Sequence, residues 1–333
     1  MTLLIRRSEL ALPACNDHMF AKALASGADL VFLDLEDATP ESLKEQSREK
    51  AITALTELDW GRTVPAIRIN GLDTHWCHDD IIEVVTRAGA DLHTIVVPKA
   101  RTARDVWWVD VLLTQLEDKL GLDHKIRLEV LIEEVEGLAN AEGIATASPR
   151  VDALIFGVGD FSLSQGARVD TNFEPLGDYP GDFWHYARNK VLVAARIAGV
   201  LAIDAPFPDY GNIEGYERDA RRSSLLGYTG KWAIHPTQVP IANTVYSPTP
   251  EEIALAERNI AAYREAEANG RGAVGVDGVL VDAAHIKMAR ATLERAAAID
   301  PGRAHSAPVR GEADPDRSAS GGGSSTLPAD TTS

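Results

Sequence analysis

The chain has 333 residues, of which 45% are hydrophobic, and its 50 acidic and 33 basic side chains give a formal net charge of −17. That length is enough for a large buried core, while the negative charge argues against binding to nucleic acid or to an anionic membrane surface, which a basic face would favour. No apolar run approaches the roughly 20 residues that span a bilayer, and the only cysteines are Cys15 and Cys77. We therefore predict a cytoplasmic protein without a disulfide framework, a cysteine-based zinc site or a membrane segment.

Eight short apolar runs, rich in β-branched residues, alternate with longer helical patterns at 41–57, 101–120, 134–147, 187–199 and 214–227. Near-continuous apolar strands are typical of a parallel sheet that helices cover on both faces. The alternation predicts a closed (β/α)8 TIM barrel, with an open doubly wound sheet as the alternative. The predicted strands are Leu10–Pro13, Leu30–Asp37, Pro65–Asn70, Thr94–Lys99, Leu128–Glu133, Ala153–Asp160, Leu201–Pro206 and Lys231–Pro236.

The pattern changes after residue 247. An amphipathic helix is predicted at 250–269, and a second helical pattern follows a connection at 270–282. We therefore predict a barrel domain over residues 1–247 and a C-terminal helical lid, built as a helical hairpin, over residues 248–300. Residues 301–333 are rich in Gly, Ser and Pro and contain few large aliphatic side chains, which predicts a disordered tail.

Polar side chains lie at the C-terminal ends of seven of the eight predicted strands. One such residue can simply mark the point at which the chain leaves the core. In a barrel, however, these ends meet on the face that holds the active site, so that their combination predicts a site. The residues are Glu36, Asp37, Arg68, Asn70, Lys99, Glu133, Glu134, Asp160, Asp204 and His235.

Two of these carboxylates, Glu133 and Asp160, follow the adjacent fifth and sixth strands and can therefore ligate one cation together. Crowded carboxylates repel each other unless a cation lies among them, and Mg²⁺ prefers carboxylate, water and substrate oxygens. Gly157 and Gly159 leave room for close approach beside Asp160. Arg68, on the third strand, can hold a substrate carboxylate through two hydrogen bonds. The set predicts a Mg²⁺-dependent site for a small oxo- or hydroxy-acid.

Long segments in a fixed order carry a resemblance to a known family. They resemble the citrate lyase β-subunit-like enzymes of the aldolase/citrate lyase family, and within it the L-malyl-CoA/β-methylmalyl-CoA lyases. The resemblance covers about residues 6–295 and implies a (β/α)8 barrel with a C-terminal helical lid, assembled as a homotrimer or homohexamer. The segments are RRSELALP, FLDLEDA, IRIN, VVPKA, LIEEVEGLANAEGIA, GVGDFSLSQG and GKWAIHPTQVPIANTVYSPT.

The resemblance implies a role for each residue at the metal. Mg²⁺, or Mn²⁺ in its place, is held by Glu133 and Asp160, and Glu36 and Asp37 lie close to the metal. Glu36 is expected to contribute to substrate binding and Asp37 to catalysis. Arg68 is expected to bind the substrate and to stabilise the oxyanion charge that develops near the metal.

Further roles fall outside the metal site. Asp282 of the lid is expected to reach the active site of a neighbouring subunit, where it acts as general acid and base. Lys99 and Arg7 are expected to bind substrate. Because CoA is itself polyanionic, basic residues must provide its approach to an acidic protein, and the candidates are Arg6, Arg7, Lys99, Arg101 and Arg104.

The implied reaction is the reversible cleavage of L-malyl-CoA, and of β-methylmalyl-CoA, to glyoxylate and acetyl-CoA or propionyl-CoA. A malyl-CoA thioesterase and a citramalyl-CoA or citryl-CoA lyase remain alternatives, as does a scaffold subunit without catalytic activity. Class II aldolases of the pyruvate type commonly carry Gln two positions before the metal-binding Glu. Leu131 occupies that position here, which argues against such an aldolase.

Overall fold

The structure, a computed structural model, describes residues 4–300. Eight parallel strands pair in chain order, and the first pairs with the eighth to close a barrel. The predicted (β/α)8 TIM barrel is therefore confirmed. The strands are β1 (Ser8–Pro13), β2 (Leu30–Asp34), β3 (Val64–Arg68), β4 (Thr94–Val97), β5 (Arg127–Ile132), β6 (Val151–Phe156), β7 (Leu201–Asp204) and β8 (Gly230–Ala233).

Helices connect the strands of the barrel, and three further helices follow its last strand. None of the described helices is both long and apolar enough to cross a bilayer. The helices are α1 (Phe20–Leu24), α2 (Lys44–Glu57), α3 (Trp76–Ala88), α4 (Ala103–Leu120), α5 (Val135–Ala139), α6 (Ala141–Ala145), α7 (Val158–Gln165), α8 (His185–Ala198), α9 (Ile213–Leu226), α10 (Val239–Val245), α11 (Pro250–Ala268) and α12 (Ala283–Ile299), with 3-10 turns at Asp17–Met19, Glu41–Leu43 and Pro236–Gln238.

Alternation of side chains along each strand produces two apolar layers. In β2, Leu30 and Phe32 face the barrel interior, where the Phe32 ring lies 4.6 Å from that of Trp232. Val31 and Leu33 belong instead to the layer between strands and helices. Because both faces of the strand are buried, the strand is apolar at nearly every position, which explains the continuous runs in the sequence.

The chain divides into two compact units, the first ending at Leu255 and the second beginning at Ala256. This division falls within α11, after the predicted domain boundary at residue 247. The second unit has a small apolar core of its own, formed by Ala256, Ile260, Val281, Ile286 and Ala289.

The connection between α11 and α12 differs from the predicted helical hairpin, because it contains the strands β9 (Ala273–Val276) and β10 (Val279–Asp282), which pair in antiparallel fashion. Asp277 and Gly278, between the strands, have φ angles of 50° and 81°. Two successive positive φ angles are what a tight hairpin turn requires, and Asp-Gly is a common sequence for it. The two predicted helices are confirmed, and the strands between them were not predicted because the Asp-Gly dipeptide was overlooked. The predicted tail, 301–333, lies outside the described residues.

Candidate active site

The inward-facing positions of the strands become polar at the carboxyl end of the barrel. Asp34 and Glu36 continue the inward series that Leu30 and Phe32 begin, and Arg68 lies opposite Asp34 in the register of β2 and β3. In β2, the same two-residue period therefore places apolar side chains inside the barrel and charged ones at its mouth. A site on this face is where active sites of the fold lie.

Arg68 is held by a carboxylate that the sequence analysis missed. Its Nε and Nη2 donate to Oδ1 and Oδ2 of Asp34 at 2.8 Å and 2.5 Å, and its Nη1 lies 2.9 Å from Glu36 Oε2. Burial alone would lower the pKa of Arg68, but the charges of Asp34 and Glu36 outweigh it and keep the pKa above its ordinary value. The bidentate pair fixes the guanidinium plane, and N–H groups on Nη1 and Nη2 remain for a substrate oxygen.

Lys99 joins three strands at the mouth. Its Nζ lies 2.7 Å from Glu36 Oε1, 3.3 Å from the Asp37 carboxylate and 4.0 Å from Asp160 Oδ2. Its backbone N–H donates to Glu133 Oε1 at 2.8 Å, and its φ angle of 50° is unusual for a residue other than Gly. The structure therefore brings together the predicted residues that follow β2, β4, β5 and β6.

Glu133 follows β5 directly, and Asp160 lies in the first turn of α7, just after β6. Gly157, which precedes α7, lies directly against the Glu133 side chain. A Cβ at position 157 would lie 2.5 Å from the Glu133 Cβ and 2.7 Å from its Oε2. Only Gly therefore leaves room for the Glu133 side chain, whereas the sequence analysis expected Gly157 to make room for a backbone or a substrate.

The buried carboxylates are electrostatically unfavourable without a cation. Burial raises the pKa of Glu133 well above its ordinary value, and the charges of Glu36 and Asp160 raise it further, against the effect of Arg68. Burial also raises the pKa of Glu36, although Arg68 and Lys99 oppose this. Neighbouring negative charges and the removal of water both favour the protonated form of a carboxyl group, unless a cation binds.

The donor set fits Mg²⁺. Glu133 Oε1 accepts the Lys99 N–H, whereas Oε2 receives no hydrogen bond from the described residues. No group of three or more His, Cys, Asp or Glu side chains within residues 4–300 is arranged to hold a metal ion. Glu133 and Asp160 would supply two carboxylates, with water and substrate completing the shell, as is usual for Mg²⁺.

Arg7 and Arg6 do not lie with the other predicted residues. Both precede β1 and are therefore at the opposite, amino end of the barrel. Arg7 donates from Nε and Nη2 to the Asp29 carboxylate at 2.9 Å and 2.8 Å, and Arg6 forms a buried ion pair with Glu129 at 3.1 Å. The structure does not place Arg7 beside the residues of the mouth, because β1 begins at Ser8 and runs away from Arg7 towards the mouth.

Two other basic candidates lie beyond the carboxyl end of β4. Arg101 pairs with Glu134, with Nη2 3.0 Å from Oε1, and Arg104 is an exposed residue of the first turn of α4. Together with Lys99 they remain the predicted positive charges on the side of the barrel that carries the carboxylates.

Asp282 lies in the second unit, where it caps the start of α12. Its Oδ1 accepts the backbone N–H of Ala284 at 3.0 Å and of His285 at 3.3 Å, and lies 2.7 Å from His285 Nδ1. The hydrogen bonds from His285 lower the pKa of Asp282. The contact with His285, three residues along the helix, is a feature that the sequence analysis did not single out.

Comparison with known proteins agrees with this geometry. Residues 7–236 match the family described as HpcH/HpaI aldolase/citrate lyase. The chain is 40% identical to an L-malyl-CoA/beta-methylmalyl-CoA lyase from Cereibacter sphaeroides over 299 residues, 87% of this chain and 94% of that protein. It is 35% identical to a (3S)-malyl-CoA thioesterase from the same species, with 88% of this chain and 95% of that protein covered.

Among solved structures, protein CitE from Mycobacterium tuberculosis in complex with magnesium, acetoacetate and coenzyme A is similar, with a TM-score of 0.70 and 30% identity. The match covers 89% of this chain and 99% of that chain. The family match includes all eight strands of the barrel and every charged residue of its mouth described above. The chain therefore belongs to the HpcH/HpaI aldolase/citrate lyase family.

Proposed function

We propose that this protein is a Mg²⁺-dependent carbon–carbon lyase that cleaves L-malyl-CoA reversibly to glyoxylate and acetyl-CoA, and β-methylmalyl-CoA to glyoxylate and propionyl-CoA. The observation that carries the proposal is the carboxylate pair of Glu133 and Asp160 beside the fixed guanidinium of Arg68. The lyase from C. sphaeroides, 40% identical over 94% of its length, supports the substrate class.

The proposed chemistry uses the residues of the barrel mouth for binding and for charge. When bound by Glu133 and Asp160, a divalent ion supplies Lewis-acid stabilisation of substrate oxygens. Mn²⁺, which also accepts oxygen ligands, is proposed as a substitute. Arg68 and Lys99 hold positive charge close to the same position, so that they stabilise the negative charge of the glyoxylate and the developing oxyanion.

We assign to Asp282 the transfer of the proton to and from the methyl carbon of the acetyl group. In cleavage it protonates the carbon of the acetyl-CoA enolate, and in condensation it removes a proton from the methyl group. We propose that it does so in the active site of a neighbouring subunit of a homotrimer or homohexamer. Asp37, which hydrogen-bonds to Lys99 at 3.3 Å, would position that ammonium group.

A product analysis tests the proposed activity. The full-length protein is incubated with L-malyl-CoA and Mg²⁺, and the products are identified by mass spectrometry. Glyoxylate and acetyl-CoA are expected, as is the reverse condensation of glyoxylate with acetyl-CoA or propionyl-CoA. Free malate and CoA would show the alternative, a malyl-CoA thioesterase, which the 35% identical relative makes the second candidate. Cleavage of citramalyl-CoA to pyruvate, or of citryl-CoA to oxaloacetate, in preference to malyl-CoA would likewise contradict the proposal.

A further inference from the structure

The two carboxylate oxygens of Asp282 differ in their hydrogen bonds within the second unit. All three of its side-chain hydrogen-bond contacts, from Ala284 N, His285 N and His285 Nδ1, are made by Oδ1. In the part of the chain that the structure describes, Oδ2 has no such contact. The side chain is half exposed, at 49%. One oxygen is thus tied to the helix, and the other is free to meet a second molecule.

His285 Nδ1 has two contacts that cannot be satisfied in one protonation state. It lies 2.7 Å from Asp282 Oδ1 and 3.3 Å from the backbone N of Asp282. With a hydrogen on Nδ1, the ring donates to Oδ1. Without it, the ring accepts the backbone N–H, and Oδ1 can remain at 2.7 Å only if it carries the proton itself. The geometry therefore links the protonation of the two side chains.

His285 is also the charged group that acts on Asp282 among the described residues. The facing strand β9 contributes Ala273, Val274, Gly275 and Val276, which carry no charge. Asp277, in the hairpin turn, lies 3.9 Å from Arg258 of α11 and is paired with it. Lys287, the next basic residue of α12, makes no described contact with Asp282. The imidazole is 44% exposed and so exchanges protons with solvent.

We infer that His285 is a positioning residue for Asp282. Its ring holds Oδ1 against the helix, so that Oδ2 is the atom that exchanges a proton with the substrate carbon. The charge of the ring also determines how strongly Asp282 holds that proton. This inference rests on the proposed function, in which Asp282 is the general acid and base. It adds the residue that adjusts Asp282 and the oxygen that reacts.

The proton balance is simple. In condensation the C–H bond of the methyl group breaks, its electron pair stays on the enolate, and the proton forms an O–H bond with Oδ2. Cleavage reverses these changes. His285 does not carry the transferred proton, and its charge changes only by exchange with solvent. A protonated ring stabilises the carboxylate and makes it a weaker base, whereas a neutral ring leaves it a stronger one.

The test measures exchange of the acetyl-CoA methyl hydrogens for deuterium, by mass spectrometry, with full-length protein and saturating Mg²⁺. Histidine is the side chain that loses its charge between about pH 5 and pH 8. We expect a several-fold rise in exchange across this range in the wild type. His285→Asn keeps an amide near the position of Nδ1 but does not titrate, so that the rise should disappear. His285→Ala should recover pH dependence when imidazole is added.

A second measurement does not depend on activity. In metal-free protein, the NMR resonances of the His285 ring should shift in Asp282→Asn, because the charged oxygen that lies 2.7 Å from Nδ1 is replaced by a neutral group. Thermal melting establishes that each variant is folded, and His285→Gln replaces any variant that is not.

The outcomes separate the two proposals. Loss of exchange in Asp282→Asn supports the role of Asp282, and retained exchange overturns that role. If Asp282→Asn abolishes exchange while His285→Asn and His285→Gln keep the pH dependence of the wild type, the role of Asp282 stands and the inference about His285 is wrong. Unchanged resonances of the His285 ring in Asp282→Asn also contradict it.

Discussion

At the scale of single residues, the site depends on carboxylates that the fold alone makes unfavourable. Glu133 is almost completely buried and lies near Glu36 and Asp160, whose charges oppose its ionisation. A bound cation would offset the repulsion among these carboxylates and so stabilise the folded state. The metal is therefore expected to stabilise the fold as well as to support the reaction.

Replacement of Glu133 tests the metal site directly. Glu133→Gln keeps the shape of the side chain and removes its charge. Mutation of a residue that only supports a metal ligand lowers metal affinity by roughly tenfold or more, so loss of the ligand itself should lower Mg²⁺ affinity by at least that factor. The metal-free variant should be no less stable than the wild type, because a buried charge has been removed. Isothermal titration calorimetry and thermal melting measure both effects.

Glu134→Gln is the matched control. Glu134 is the next residue, and its carboxylate pairs with the exposed side chain of Arg101. Mg²⁺ affinity in this variant should stay near that of the wild type. Equal losses in the two variants would contradict the assignment of Glu133 as a ligand.

The effect of pH on metal binding follows from the same carboxylate. Because burial raises the pKa of Glu133 above its ordinary value of 4.5, the metal-free folded state binds this proton more tightly than the unfolded chain does. The contribution of Glu133 to stability therefore declines as the pH rises from 4.5 through the folded pKa. Mg²⁺ binds the ionised form, so the increase in melting temperature that Mg²⁺ produces should grow with pH. An increase that does not change as the pH rises above 4.5 would argue against this account.

At the scale of elements, the end of β6 can lie close to the end of β5 because Gly157 has no side chain. Gly157→Ala places a methyl group 2.5 Å from the Glu133 Cβ, so Glu133 must move. Overpacking of this kind costs about 1–3 kcal/mol. We expect that loss in the free energy of unfolding, measured in urea, together with weaker Mg²⁺ binding.

Gly143→Ala in α6 serves as the control for Gly157→Ala. Its new Cβ would meet only the Ala103 Cβ, at 4.0 Å. Ala is favoured over Gly within a helix by about 1 kcal/mol, so stability should rise slightly and Mg²⁺ binding should not change. Equal effects of the two variants on Mg²⁺ binding would contradict the proposed role of Gly157.

The barrel could be predicted from the sequence because burial on both faces makes each strand a continuous apolar run, and all eight runs are confirmed as strands. Positions that depend on contacts between distant segments were harder to predict. Asp34 was overlooked as part of an apolar run, although its spacing of two from Glu36 indicates the same face. The helix predicted at 134–147 is interrupted at Asn140, whose Nδ2 donates to the Arg101 carbonyl, a contact that no local pattern indicates.

At the scale of the whole molecule, the protein and the proposed CoA substrate are both negatively charged. The net charge of −17 repels the phosphates of CoA over long distances, whereas the basic groups near the mouth act at short range. Salt separates these contributions, because the Debye length falls from about 30 Å at 0.01 M to about 8 Å at 0.15 M ionic strength.

We expect kcat/KM for the acyl-CoA to rise with ionic strength over this range at constant Mg²⁺, because screening removes the long-range repulsion. Arg104→Glu, which adds negative charge at an exposed position, should lower kcat/KM at low salt and make the rise steeper. A fall in kcat/KM of the wild type with added salt would show instead that local positive charge governs the encounter.

The backbone of Lys99 has a consequence for how this protein can evolve. Its φ angle of 50° suits Gly or Asn, and a residue with a longer side chain is held there at a cost of about 1–2 kcal/mol. The same conformation directs the N–H to Glu133 while the ammonium group reaches Glu36. Gly at this position would relieve the backbone but would also remove the positive charge beside the buried Glu36 carboxylate, and that loss is itself destabilising. The lysine is therefore expected to persist even where stability alone is under selection, because its charge balances Glu36.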